Sequence, residues 1–227
     1  MMVSNSEPLA EGTVIMAEDQ FAGRGQHGNI WHATAGLNLT FSVLLKPVFL
    51  PVHQQFILNM VVSNAICIAL DRFIPKGIQL KWPNDIYYED RKLGGVLIEN
   101  NILGSTLKTS IIGIGINVNQ LAFDDEQLKR ATSMLEILQQ DVDLVKLLAE
   151  ICLELEKQYF ILRSANHTLL KEMYLNRLYR YGKKFAYSDD QGLFEGMITG
   201  IEDHGALILT VGNENRTYNF KEVAFII

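Results

Sequence analysis

Three short runs hold the side chains best suited to chemistry. The first is A-G-R-G-Q-H-G-N-I-W, Ala22 to Trp31, in which Gly23, Gly25 and Gly28 surround a single arginine. Glycine takes positive φ without steric penalty and lets other atoms approach the backbone, so this run reads as a tight loop presenting Arg24. A guanidinium forks onto carboxylate or phosphate oxygens, which points to an anion. The second run is K-W-P-N-D, Lys81 to Asp85, with D-R-K-L-G-G following at Asp90 to Gly95. Pro83 fixes φ and cannot donate to a sheet, so Asn84 and Asp85 are presented at a strand end. Lys92 starts the next strand, which a hairpin brings back beside the same turn. The third run, G-I-G-I-N-V-N from Gly113 to Asn119, is a strand whose alternating glycines let a flat ligand lie against the sheet. Taken one at a time, each run also fits a plain structural role: a glycine-rich turn, a hairpin with solvated charges, a close strand crossing. The loop is not a Walker A loop, since no Gly-Lys-Ser/Thr follows. Nor is it a dinucleotide fingerprint, since Trp31 and a strand follow where a helix should begin.

The elements that must position these runs are legible in outline. Thr13 to Ala17 reads as a strand, and L-N-L-T-F-S-V-L-L-K-P as a second one closed by Pro47. Pro51 to Phe73 has helical length and apolar residues on most faces, so it reads as a well-buried helix. I-Q-L-K then reads as a strand, a turn falls at Pro83-Asn84-Asp85, and the hairpin partner includes Gly94 to Glu99. Helical periodicity follows in D-D-E-Q-L-K-R-A-T-S-M-L-E-I-L-Q-Q and in the run beginning D-V-D-L-V-K, with Asp141 or Asp143 as caps. A third helix is expected over His167 to Tyr179. From Gly182 onward short strands alternate with Asp-Asp-Gln-Gly, Asp-His-Gly and Gly-Asn-Glu-Asn turns, the pattern of a small antiparallel barrel or sandwich.

The chain has 227 residues, 48% of them hydrophobic, enough for one large domain or a medium domain plus a small one. A net charge of -6, from 26 acidic and 20 basic residues, argues against a general attraction to phosphate backbones or anionic membranes. Cys67 and Cys152 lie in apolar segments without metal-ligand spacing, as buried free thiols of a reducing cytoplasm would. M-M-V-S-N-S-E-P-L-A-E-G lacks the pattern of a secretory signal, and Asp71 and Arg72 interrupt the best candidate for a membrane span. His27, His32 and His204 have neither metal-ligand spacing nor a visible serine or cysteine partner, so no metal site is expected from protein ligands.

In this order the three runs resemble the catalytic domain of the biotin protein ligases, also called biotin-[acetyl-CoA-carboxylase] ligases. G-R-G-x-x-G-x-x-W stands at Gly23 to Trp31, K-W-P-N-D at Lys81 to Asp85 with its spaced Lys92, and G-x-G-I-N at Gly113 to Asn117. The resemblance implies an α+β fold, a mixed β-sheet with packed helices of the class II synthetase-like kind over residues 1–180, followed by a small SH3-like β-barrel over 181–227. It implies an ATP-dependent, AMP-forming enzyme. Biotin carboxylate attacks the α-phosphate of MgATP to give biotinyl-5'-AMP, and a lysine of the biotin carboxyl carrier protein then takes the biotinyl group.

Carried onto this chain, the resemblance makes Lys92, Arg24 and Asp85 the catalytic residues. Gln20, Gly23, Arg24, Gly25, Lys92, Gly95, Leu97 and Gly115 would contact biotin. Arg24, Gln26, Trp31, Asn84, Lys92 and Asn117 would contact ATP or the adenylate. Magnesium, a cytoplasmic location and a possible homodimer are implied in the same way, with no nucleic-acid or membrane partner. Two departures stand out: Gln26, His27 and Asn29 occupy loop places where family members commonly carry further arginines, and Ser4-Asn5 is too close to the loop to be the family's biotin-contacting Ser-Thr-Asn segment. The expectation is therefore a monofunctional ligase without an N-terminal DNA-binding domain and without that segment. A lipoate or octanoate ligase or transferase of the same fold, or a truncated biotin-binding protein without catalysis, are the competing readings.

Overall fold

A computed structural model describes residues 9–121, 123 and 130–226. Ser4-Asn5 and the first part of the helix expected from Asp124 lie outside the described residues. The first sheet is six-stranded and antiparallel: β1 (Val14–Ala17), β2 (Leu39–Leu45), β3 (Ile78–Lys81), β4 (Asp85–Tyr88), β5 (Arg91–Leu103) and β6 (Thr106–Ile116), in the order β1-β2-β6-β5-β4-β3. Strand β4 is a correction. Where the sequence suggests one hairpin around Pro83, there are two, because Asp85 to Tyr88 pairs back onto β3 and then forward onto β5.

Period-two alternation decides what each face does. Phe41, Val43 and Leu45 of β2, Val96 of β5, and Ile112, Ile114 and Ile116 of β6 are buried in the core. Against that face runs α1 (Phe56–Leu70), which is buried almost all round and packs on α3 (Leu144–Arg163) and α4 (His167–Arg177). The stretch Val52–Leu70, ending just before Asp71, is itself long and apolar enough for a membrane span, with mean hydropathy 1.3, so the charges at 71 and 72 do not rule one out. Its 67% burial inside the protein is that of a core helix.

Helix ends follow local chemistry. Asp143 caps α3 by accepting from the Val145 and Lys146 N–H groups, and Asn166 caps α4 by accepting from Leu169 N–H. The helix expected before α3 is much shorter among the described residues: α2 covers only Met134–Leu138, capped by Ser133. Its predecessors Arg130 to Thr132 run beside β5 instead, where the Lys92 N–H donates to Arg130 O at 2.7 Å and the Thr132 N–H to Lys92 O at 2.9 Å.

The small C-terminal β-domain is present as a second antiparallel sheet. Its strands are β7 (Lys184–Asp189), β8 (Gly192–Ile201), β9 (Leu207–Val211), β10 (Glu214–Tyr218) and β11 (Ala224–Phe225), in the order β10-β9-β8-β7-β11. The sheet is tied back to the first one at the Asp-His-Gly turn. Gly205 sits at φ +103° against the Phe56 ring, and its carbonyl accepts from the Trp82 indole N–H at 2.9 Å.

Candidate active site

Register across the first sheet brings one row of residues to the face opposite the helices: Ala17, Thr40, Gly115, Gly95, Asp85 and Lys81, one from each strand. The next row on that face is Ile15, Ser42, Gly113 and Leu97, with Glu99 and Ile111 beyond it. Glycines therefore form the middle of the floor and charged groups one end. Above lies a cavity of about 740 Å³.

The charged end is built by the two hairpins. Lys92 Nζ lies 2.6 Å from Asp85 Oδ1, half exposed, directly over Gly95. A Cβ at Gly95 would stand 3.3 Å from that carboxylate oxygen and 3.7 Å from Nζ, so glycine leaves the pair its space. Lys81 Nζ donates to the Tyr87 hydroxyl at 3.0 Å and lies over the Tyr87 and Phe225 rings. Burial lowers the Lys81 pKa from the ordinary 10.5; Asp85 works against the shift, and the Lys92, Arg180 and Arg130 charges reinforce it. Burial, reinforced by Asp85, pushes the Tyr87 phenol up, which keeps it protonated.

The turn itself is anchored from below. Pro83 O accepts from Asn59 Nδ2 at 2.7 Å and from the Tyr174 hydroxyl at 3.0 Å, both from the helical layer. Asn84 is pinned to β5, its amide donating to Val96 O while its own carbonyl accepts from Val96 N–H at 3.0 Å. Two helices and one strand thus hold a segment that carries Lys81 and Asp85.

The glycine loop covers the floor from the other side. Trp31 N–H donates to Gly23 O at 3.1 Å and Gly25 N–H to Asn29 O at 2.7 Å, around a tight 3-10 turn at Gln26–Gly28. A Cβ at Gly23 would lie 2.2 Å from Trp31 O, and Gly28 has φ +84°, so two of the glycines are needed for approach and for turning. The Trp31 ring rests on Gly115, and its buried Nε1–H has no hydrogen-bond partner among the described residues. Arg24 forks onto the Glu99 carboxylate through bonds of 3.0 and 2.9 Å.

Of the residues singled out in the sequence, Gln20, Arg24, Gly25, Gln26, Trp31, Asn84, Asp85, Lys92, Gly95, Leu97 and Gly115 all border the cavity. Two do not. Gly23 is spent on the Trp31 backbone, and Asn117 is turned into the fold, where its side-chain amide donates to Thr132 O at 3.0 Å and its backbone carbonyl accepts from Met134 N–H at 3.1 Å. Asn117 is thus a brace for the segment that clamps the Lys92 backbone. Sequence reasoning missed Lys81, whose place in the K-W-P-N-D run was signal enough. It also missed the C-terminal wall of Phe220, Lys221, Val223, Ala224 and Phe225, for which no local signal exists. Lys221 stands at φ +71° and adds another cation to that wall. Among the described residues no group of three or more His, Cys, Asp or Glu could hold a metal ion.

Comparison with known proteins gives a consistent set of relatives. The model of the biotin/lipoate A/B protein ligase family matches residues 3–117. A bifunctional ligase/repressor of Bacillus spizizenii is 30% identical over 92% of this chain and 64% of its own length. A biotin-[acetyl-CoA-carboxylase] ligase of Mycobacterium tuberculosis is 32% identical over 89% of this chain and 74% of its own length. The structure of the Aquifex aeolicus biotin protein ligase in complex with biotin and ATP superposes with a TM-score of 0.81, at 26% identity, over 96% of this chain and 90% of that one. The chain spans 64% of the length of both Bacillus relatives, B. spizizenii and B. subtilis.

Proposed function

The chain belongs to the biotin/lipoate A/B protein ligase family, and on that premise we propose that it is a biotin protein ligase. It activates biotin with ATP and transfers it to a lysine of a biotin carboxyl carrier protein. The observation that carries this reading is the glycine-bearing floor, open above Gly113 and covered by the Trp31 ring at Gly115, that ends in the Lys92–Asp85 pair over Gly95. A flat bicyclic ring needs a floor without side chains, and its carboxylate needs a cation at one end. The Mycobacterium tuberculosis relative is a biotin-[acetyl-CoA-carboxylase] ligase, and the Aquifex protein holds biotin and ATP together.

In the first step a biotin carboxylate oxygen bonds to the α-phosphorus of ATP, and the bond to the bridging oxygen of the β-phosphate breaks, releasing pyrophosphate. Negative charge builds on the α-phosphoryl oxygens, and Lys92 is placed to neutralise it, with Lys81 a second cation in the same row. Arg24 adds a fork for carboxylate or phosphate once its own partner releases it. In the second step the acceptor amine attacks the acyl carbon and the carbon–oxygen bond to AMP breaks, with AMP leaving and the amine proton lost. Asp85 is the carboxylate positioned to orient that amine, and Lys92 to stabilise the tetrahedral oxyanion. The loop from Gly23 to Trp31 shields the mixed anhydride from water. Gln20, Gly25 and Leu97 are assigned to the biotin ring, and Gln26 and Trp31 to the nucleotide, all of them bordering the one cavity. Magnesium would accompany the triphosphate and supply further charge neutralisation there, with Asp85 the carboxylate that would help hold it at the charged end of the floor.

Biotin-dependent exchange of labelled pyrophosphate into ATP tests the first half-reaction, with lipoate and octanoate as controls. Exchange with biotin alone is the expected result. Exchange with lipoate or octanoate and none with biotin would overturn the choice of acid, and silence with all three would overturn the enzymatic reading. Transfer to a carrier protein, a cytoplasmic location and a homodimer belong to the same proposal.

A further inference from the structure

Arg24 carries the guanidinium best suited to an anionic ligand, and it already holds an anion. Glu99 Oε1 and Oε2 accept from Arg24 Nη1 and Nη2 at 3.0 and 2.9 Å, the two-point geometry that a substrate carboxylate or phosphate would take. Glu99 belongs to the same face of β5 as Gly95 and Leu97, and both it and Arg24 border the cavity. Four residues along a strand separate Glu99 from Gly95, roughly 13 Å, and Gly95 is where Lys92 Nζ stands. The pair therefore draws Arg24 toward the end of the slot away from the Lys92–Asp85 pair. At 60% and 45% side-chain exposure the pair is solvated, and such pairs are weak. A weak, two-point contact suits a partner that is to be exchanged.

We infer that Glu99 is a positioning residue whose carboxylate occupies Arg24 in the resting protein and competes with the anionic ligand for it, so that it tempers ligand affinity. The inference rests on the functional reading above for the identity of the ligand, and on geometry alone for the competition. Glu99 has a second consequence, since it fastens the glycine loop to the sheet. Its removal frees the loop and strengthens anion binding together, whereas removing a plain structural brace would free the loop and weaken binding.

The test is Glu99→Gln, which keeps size and hydrogen-bonding capacity and loses the charge. Binding of biotin, of ATP and of inorganic pyrophosphate to the full chain is measured by titration calorimetry, with Arg24→Ala and the double variant alongside. The expected result is ATP or pyrophosphate bound about 2- to 5-fold more tightly by Glu99→Gln, with no gain when Arg24 is already alanine. Trypsin cleavage after Arg24 in the unliganded protein is expected to speed up in the same variant. Unchanged or weaker anion binding by Glu99→Gln, or an equal gain in the Arg24→Ala background, overturns the inference and leaves the biotin ligase reading standing. If wild type binds no biotin the ligase reading falls instead, and the pyrophosphate titration alone then decides: tighter binding supports the competition, and none in either protein overturns it.

Discussion

The Trp31 indole rests on the backbone of Gly115, so closely that a Cβ at residue 115 would stand 2.5 Å from the ring. The contact joins the glycine loop to the floor of the slot and leaves the buried indole N–H without a partner among the described residues. Gly115→Ala must push the ring away, since the neighbouring β5 and β2 hold the strand in register. Misplacement of about 1 Å at a reacting site can cost ~100-fold, and a loss of that order in pyrophosphate exchange is expected. The melting temperature should move little, because the displaced ring belongs to a surface loop. Wild-type exchange in the variant would show that the loop does not need this seat.

Lys92→Ala removes the cation that faces Asp85 at 2.6 Å. Exchange should fall by ~100- to 1000-fold, the range found when one preorganised charge-stabilising donor is lost. The pair is partly exposed, so stability should change by no more than ~1 kcal/mol. Lys92→Arg should not restore the rate, because a planar fork does not replace a point charge over Gly95. Circular dichroism melts beside the exchange assay separate loss of chemistry from loss of fold.

Lys81 predicts a specific dependence of stability on pH. Its folded pKa is lowered from 10.5, chiefly by burial. Between the lowered value and 10.5 the unfolded chain binds the proton and the folded one does not, so stability rises with pH in that window. Below the lowered value the penalty for burying the charge is present in full. The stability difference between wild type and Lys81→Met should therefore shift toward wild type as pH climbs from the lowered folded value toward 10.5. Tyr87 is common to both proteins, so its own titration largely cancels. Denaturant midpoints of both proteins across this range give the slope; a flat or falling difference would contradict the account.

Tyr174→Phe takes one of two hydrogen bonds from Pro83 O and leaves the Asn59 amide in place. A loss of ~1 kcal/mol in stability is expected. Exchange activity should fall less than tenfold, since the turn keeps one anchor. Adding Asn59→Ala should cost more than the sum of the single changes, because the two donors share an acceptor. Strict additivity in the double-mutant cycle would show that the turn is held elsewhere.

What the sequence determined by itself is local. Gly23 and Gly28 stand where only glycine fits, Asp143 caps its helix, and the β-branched runs of β2 and β6 alternate between core and cavity. Each follows from steric or hydrogen-bonding rules that act within a few residues, so the strands, the longer helices and many of the residues that border the cavity were readable in advance. Short β4 was not, because four residues after a proline carry too little pattern to set themselves apart from a turn.

Tertiary structure alone decided which of these residues meet. The row that places Gly115 beside Gly95 and Asp85 depends on strand register, which the whole sheet sets by burying one face. Arg24 could be read as an anion binder, but not as one already engaged by Glu99, 75 residues away. Asn117 ends a glycine-spaced strand as a ligand contact would, yet its side chain is claimed by the backbone of residue 132. The Trp82–Gly205 bond spans 123 residues and brings the second sheet to the edge of the slot, adding a wall that no local run announces. A side chain's chemistry is inherent in its type, but its partner is set by whatever the rest of the chain, once packed, leaves within reach.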